Sequence, residues 1–164
     1  MSDYDKKRAT IERNLAEVRR RMAAACERSG RKADEVTLIA VTKTVGPEEI
    51  DILADLGVSR MAESRVQNAA AKIPAAPAGI EWHMIGHLQR NKAKRALEMF
   101  PLIDAVDSVR LAKEINKHAE HMGKTVPVLL EVKTGGGLAI ESLTMINSES
   151  VPVFGGIPSS VAVK

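Results

Sequence analysis

A short apolar run, Val36-Thr37-Leu38-Ile39-Ala40-Val41, opens an alternation of strand and helix that fills most of this chain. Strands are expected over 36–42, 57–62, 81–86, 102–106 and 127–132, and helices between them over 47–56, 64–73, 88–99 and 108–122. Repetition of this unit calls for parallel strands joined by right-handed crossovers. The first run is rich in β-branched residues and shows no polar alternation, so it reads as a strand buried on both faces. Two architectures fit, an open doubly wound sheet and a (β/α) barrel. The segment Thr42-Lys43-Thr44-Val45-Gly46-Pro47 lacks the glycine spacing of a dinucleotide fingerprint, which weakens the open sheet.

A helix over about residues 3–28 precedes this pattern, with Ile11, Leu15, Val18, Met22 and Cys26 forming one apolar stripe. Ser2 suits its N-cap and Gly30 its end. Pro47, followed by Glu48 and Glu49, suits the first turn of the next helix. Asp107 or Ser108 can cap the helix over 108–122, and Gly123 ends it. The pattern stops near residue 133. From Thr134 onward the chain is rich in Gly, Ser, Val and Pro; the segments 138–146 and 151–154 can pair as strands.

Aromatic residues make up 2% of the chain, which leaves few platforms for stacking single-stranded nucleic acid. The net charge of +3 is compatible with an anionic ligand but too small to argue for nucleic acid. The single cysteine, Cys26, excludes an intrachain disulfide and a cysteine-based zinc site. No apolar stretch reaches membrane-spanning length, and the N-terminus lacks the apolar segment of a signal peptide, so a cytoplasmic location is expected.

Three clusters can carry chemistry. Lys43 follows the first strand, at the carboxyl end where α/β folds place their sites. Its amine can form a Schiff base with an aldehyde such as pyridoxal phosphate, or it can be a solvated loop residue. Glu63, at the end of the second strand, can orient a cofactor or an inner water, or cap the helix beginning near Ser64. His83 shares a strand face with Ile85, opposite Trp82 and Met84, and reads either as a hydrogen-bonded core histidine or as an acid or base. Gly86 lets the chain turn sharply, and His87 sits at that turn. Arg90, Lys92, Lys94 and Arg95 form a basic run that reads as a solvated face or as a phosphate- or RNA-binding patch.

The strings Ile39-Ala40-Val41-Thr42-Lys43-Thr44, Glu63-Ser64-Arg65-Val66-Gln67, Trp82-His83-Met84-Ile85-Gly86-His87-Leu88-Gln89-Arg90-Asn91-Lys92 and Asp104-Ala105-Val106-Asp107-Ser108 resemble the pyridoxal phosphate homeostasis proteins. The resemblance covers about residues 8–133. It implies a (β/α) TIM-type barrel similar to the N-terminal domain of alanine racemase. It also implies pyridoxal 5′-phosphate held as a Schiff base on the lysine matching Lys43. The implied role is intracellular homeostasis of this vitamin B6 cofactor, without established catalysis.

Two departures from the family follow. Met61-Ala62-Glu63-Ser64 stands where the family usually has Phe-Gly-Glu-Asn. The family continues past the fifth strand with three further units, whose Ser/Gly-rich and Arg-x-Gly-Thr segments hold the phosphate and face the ring nitrogen. Nothing after Thr134 matches them.

An incomplete barrel of about five strand–helix units is therefore expected over 1–133, followed by an atypical tail over 134–164 that arises from a frame change, an early stop or an altered gene end. Family members are expected to be monomers. The open edges of a partial barrel predict self-association or marginal stability here. The rival readings are a racemase-like enzyme fragment using the same lysine, and a phosphate- or RNA-binding module using Arg90 to Arg95.

Overall fold

The computed structural model describes the backbone of residues 1–134 and 137–145, and side chains as far as Glu131. Helix α1, Asp3–Arg28, leads into β1, Ala40–Val41. There follow α2 (Pro47–Asp55), β2 (Arg60–Glu63), α3 (Val66–Lys72), β3 (Glu81–Met84), α4 (Ala93–Met99), β4 (Leu102–Val106), α5 (Val109–His121), β5 (Val126–Thr134) and β6 (Gly137–Met145). Strands β1 to β5 pair in parallel and lie in sequence order, and β6 adds antiparallel to β5. A doubly wound sheet reverses its strand order at a switch point. None occurs among the described strands, so the topology is that of a singly wound (β/α) barrel, seen over five of its parallel strands.

The first strand departs from expectation. Only Ala40 and Val41 join the ladder, not 36–42, and Val41 is 37% exposed rather than buried. The reason is position: β1 lies at the sheet edge, with β2 as its sole strand neighbour among the described residues. The fifth strand is longer than expected and runs through Thr134, one residue past the boundary drawn at 133. The segment expected over 138–146 is indeed extended, but it pairs with β5; its expected partner, 151–154, lies outside the described residues. The helix expected over 88–99 begins later, at Ala93, after a single 3₁₀ turn over Arg90–Lys92.

Burial explains which face carries the helices. Met61, Trp82, Met84 and Ile103 from the strands join Ile50, Val66, Ala69, Ala96, Leu97, Leu111 and Ile115 from α2 to α5 in one apolar core. Register sets Val41, Ala62 and His83 side by side, and Ala40, Met61 and Trp82 beside each other on the opposite face. The period-two alternation of strands thus gives helices one face and leaves Ala62 and His83 on the other, inner face.

Local signals at the helix ends behave as the residue types dictate. Ser2 caps α1 through a reciprocal pair with Asp5, and Gly30 follows the helix end at φ +68°. Ser108 caps α5 by accepting from the Leu111 N–H. In the α1 stripe Leu15 and Cys26 are buried, whereas Val18 remains exposed. Helix α1 is also held by charge: Lys7 pairs with Glu48 and with Glu49 at 3.0 Å, and Arg8 with Asp55 at 3.0 Å.

The Lys7 ammonium holds the Glu49 carboxyl below its ordinary value of 4.5. A carboxyl depressed in the folded state adds stability that is complete above its unfolded value and fades as pH falls through the folded one. Urea midpoints of wild type and Lys7→Met should therefore differ by a constant gap near neutral pH. That gap should narrow as pH drops below 4.5. A gap that widens with acid would contradict the pairing.

Candidate functional site

Parallel pairing brings the carboxyl ends of all five strands to one edge of the sheet. Lys43 follows β1 there, Ser64 follows β2, Gly86 and His87 follow β3, and Asp107 follows β4. The sequence clusters singled out above, far apart in the chain, therefore converge on a single edge, the one that carries ligands in (β/α) folds.

Lys43 lies one residue beyond Thr42, in a turn closed by the Val45 N–H on the Thr42 carbonyl at 3.2 Å. Its side chain is exposed, and it forms no ion pair among the described residues. Thr42 beneath it is fully buried. The Thr42 N–H and hydroxyl both donate to the Ala62 carbonyl, at 2.9 and 3.1 Å. Lys72, at the last turn of α3, donates to the Thr42 carbonyl at 2.7 Å and to the Glu63 carboxylate.

Glu63 is 0% exposed and sits on the helix face of β2 with Met61, not on the inner face. Nor does it cap α3, whose first residue is Val66 and whose N-cap, Arg65, makes no side-chain cap bond. Its two oxygens take Lys72 and the Ser64 N–H. A buried carboxylate needs a buried cation, and Lys72 supplies it.

His83 is buried on the inner face, and its Nδ1 donates to Asp104 Oδ2 at 3.1 Å. Its Nε2 lies 3.3 Å from Glu81 Oε1 without hydrogen-bond alignment, and Glu81 in turn pairs with Arg60 at 3.2 Å. The core reading of His83 thus holds, as one member of a polar chain across β2, β3 and β4. Two buried atoms in it, His83 Nε2 and Asp104 Oδ1, have no hydrogen-bond partner among the described residues.

Gly86 is required for a reason other than a sharp turn. A Cβ there would stand 2.2 Å from the Ser64 carbonyl oxygen. The loops after β2 and β3 are pressed together, and only glycine permits that approach.

The basic run does not form one face. Arg90 and Asn91 line a cleft of about 590 Å³ with His87, Asp107, Arg110 and Glu114, where His87 Nδ1 meets Asp107 Oδ2 at 2.7 Å. Lys92 and Arg95 line another cleft, with Val66, Gln67 and Ala70. A 3₁₀ turn over Arg90–Lys92 swings the run across both. Among the described residues no group of three His, Cys, Asp or Glu side chains is placed to hold a metal ion, and no helix is long and apolar enough to cross a membrane.

Sequence reasoning passed over Lys72, Asp104, Glu81 and Arg60. A signal existed for two of them. Asp104 interrupts the apolar strand Leu102–Val106, and Lys72 answers Glu63, a carboxylate that follows Met61 and Ala62 at a strand end and so demanded a cation.

Residues 8–147 match the alanine racemase N-terminal domain family, and this chain belongs to it. Its curated relatives include pyridoxal phosphate homeostasis proteins. That of Aquifex aeolicus is 39% identical over 123 residues, covering 74% of this chain and 54% of the relative. That of Escherichia coli is 35% identical over 126 residues, with the same coverage of 74% and 54%. The chain spans about half the length of these relatives. Among solved structures, PipY of Synechococcus elongatus with PLP bound is 33% identical at a TM-score of 0.64, covering 77% of this chain and 56% of that one. A protein of unknown function from Bifidobacterium adolescentis is 34% identical at a TM-score of 0.74, covering 84% and 61%. D-threonine aldolase from Filomicrobium marinum, 18% identical at a TM-score of 0.60, shares the fold.

Removing one partner of a buried ion pair leaves an uncompensated charge and costs about 3–5 kcal/mol. Lys72→Met should therefore lower unfolding stability by about 3 kcal/mol or more in urea titration. A loss no larger than that of an exposed lysine would contradict the burial of Glu63.

Proposed function

We propose that this chain binds pyridoxal 5′-phosphate as a Schiff base on Lys43 and serves the intracellular homeostasis of that cofactor, without catalysing a reaction of its own. The observation that carries this reading is Lys43 itself: an exposed amine, free of ion pairs among the described residues, on a rigid root at the carboxyl edge of a parallel sheet. Support comes from PipY, a 33% identical neighbour with PLP bound, and from relatives named for pyridoxal phosphate homeostasis.

The residues present fit an aldehyde. Lys43 would hold the group through Nζ: a carbon–nitrogen double bond would replace the aldehyde's carbon–oxygen double bond, and the oxygen would leave as water with the two amine hydrogens. Bound there, the cofactor supplies a reactive carbonyl in a masked, recoverable form. His83 and Glu63 are engaged with Asp104 and Lys72, so neither is assigned to the cofactor.

An absorbance spectrum with added pyridoxal phosphate tests the assignment. A Schiff base on a protonated lysine nitrogen absorbs near ~420 nm, and the band should appear in wild type and vanish in Lys43→Ala. Its absence from wild type, or its persistence in the variant, would overturn the reading.

We also propose that the chain self-associates. The outer edge of β1 is unpaired among the described residues and exposes Val41, and an open strand edge is a template for another chain. Sedimentation velocity over a concentration series should show mass increasing with concentration. A monomer throughout would refute it.

A further inference from the structure

We infer that Lys72 and Glu63 are positioning residues that hold Lys43 in place for an aldehyde, an inference resting on the reading of Lys43 above. The link is the peptide bond between Thr42 and Lys43. Its six atoms lie in one plane, so fixing Thr42 and its carbonyl oxygen also fixes the nitrogen and Cα of Lys43. Four hydrogen bonds do this. Thr42 donates twice to the Ala62 carbonyl, at 2.9 and 3.1 Å, and its own carbonyl accepts from Val45 at 3.2 Å and from Lys72 Nζ at 2.7 Å. Three of the four come from the strand and the turn. The fourth comes from a helix, and it ties the root of Lys43 to α3.

Glu63 makes that fourth bond stable. The Lys72 side chain is only 15% exposed, and an ammonium at such a site needs a counter-charge. Glu63, fully buried, provides it. The two lysines thereby divide their work. The Lys72 nitrogen is committed to a carbonyl and a carboxylate, and an amine so engaged is not free to attack. Lys43 is exposed and free of ion pairs among the described residues, so of the two it is the available amine. A rigid root matters for bond formation because reacting atoms must meet at a set distance and angle, and a small misplacement is felt as a large loss of rate.

The test is labelling with pyridoxal phosphate, in which borohydride delivers hydride to the carbon–nitrogen double bond and so fixes the label for peptide mapping. The exposed Lys6 serves as an internal reference amine. In wild type the label should favour Lys43 and spare Lys72. The double variant Glu63→Leu/Lys72→Met removes both charges together and leaves none unpaired. Its Lys43 labelling, relative to Lys6, should fall about tenfold while the melt stays cooperative.

Lys72→Arg is the second variant, for use if the double variant does not fold. It keeps a cation for Glu63 but replaces the compact ammonium at the Thr42 carbonyl by a planar guanidinium. Labelling at Lys43 should drop with the melt near that of wild type. Wild-type labelling ratios in either folded variant would overturn the inference and leave the reading of Lys43 intact. Label on Lys72 in Lys43→Ala would overturn it too. A wild type unlabelled at Lys43 would overturn the reading of Lys43 and this inference with it.

Discussion

Parallel strand pairing is the constraint on which the rest of the structure depends. Parallel neighbours cannot be joined by a tight turn, so each needs a crossover long enough to hold a helix. Those helices cover one face of the sheet and make its core, built from Met61, Trp82, Met84 and Ile103 against α2 to α5. The same pairing sends every strand's carboxyl end to one edge. Lys43, Ser64, His87 and Asp107, spread over more than sixty residues of sequence, become neighbours along that edge without any contact having to select them.

Two polar assemblies sit on opposite faces of this sheet and do different work. On the helix face, Glu63 and Lys72 form a buried ion pair that reaches across to the Thr42 carbonyl. It joins β1, β2 and α3 at one point, where an apolar contact could not specify direction. On the inner face, Arg60 pairs with Glu81 and His83 with Asp104 across three strands, with Glu81 lying 3.3 Å from His83 Nε2. Buried charge is costly unless paired.

Much of this was legible in the sequence, and the reasons differ from residue to residue. Helix ends were readable because capping is local: Ser2, Ser108 and Pro47 act within their own first turns. The inward direction of His83 was readable because strand alternation has a period of two. The burial of β1 was not, because an apolar run says what a strand would bury and not whether a neighbour exists on its far side. Glu63 was misjudged for a related reason. Its face is set by β2 in register with β3, and its partner lies nine residues on, at the other end of a helix. The need for Gly86 was seen, but its cause was the Ser64 backbone, twenty-two residues earlier.

The sequence by itself determined the alternation of strand and helix, the identity of Lys43 as an amine at a strand end, and membership of a family through short, strongly patterned strings. These are properties of period, of local capping and of residue type, each contained within a few consecutive positions. Only the tertiary structure decided that β1 is an edge among the described strands, that the basic run divides between two clefts, and that Lys72 clamps the residue before Lys43. Those depend on which segments lie side by side, and register, burial and ion pairing across a sheet follow from its assembled geometry rather than from any one stretch of chain.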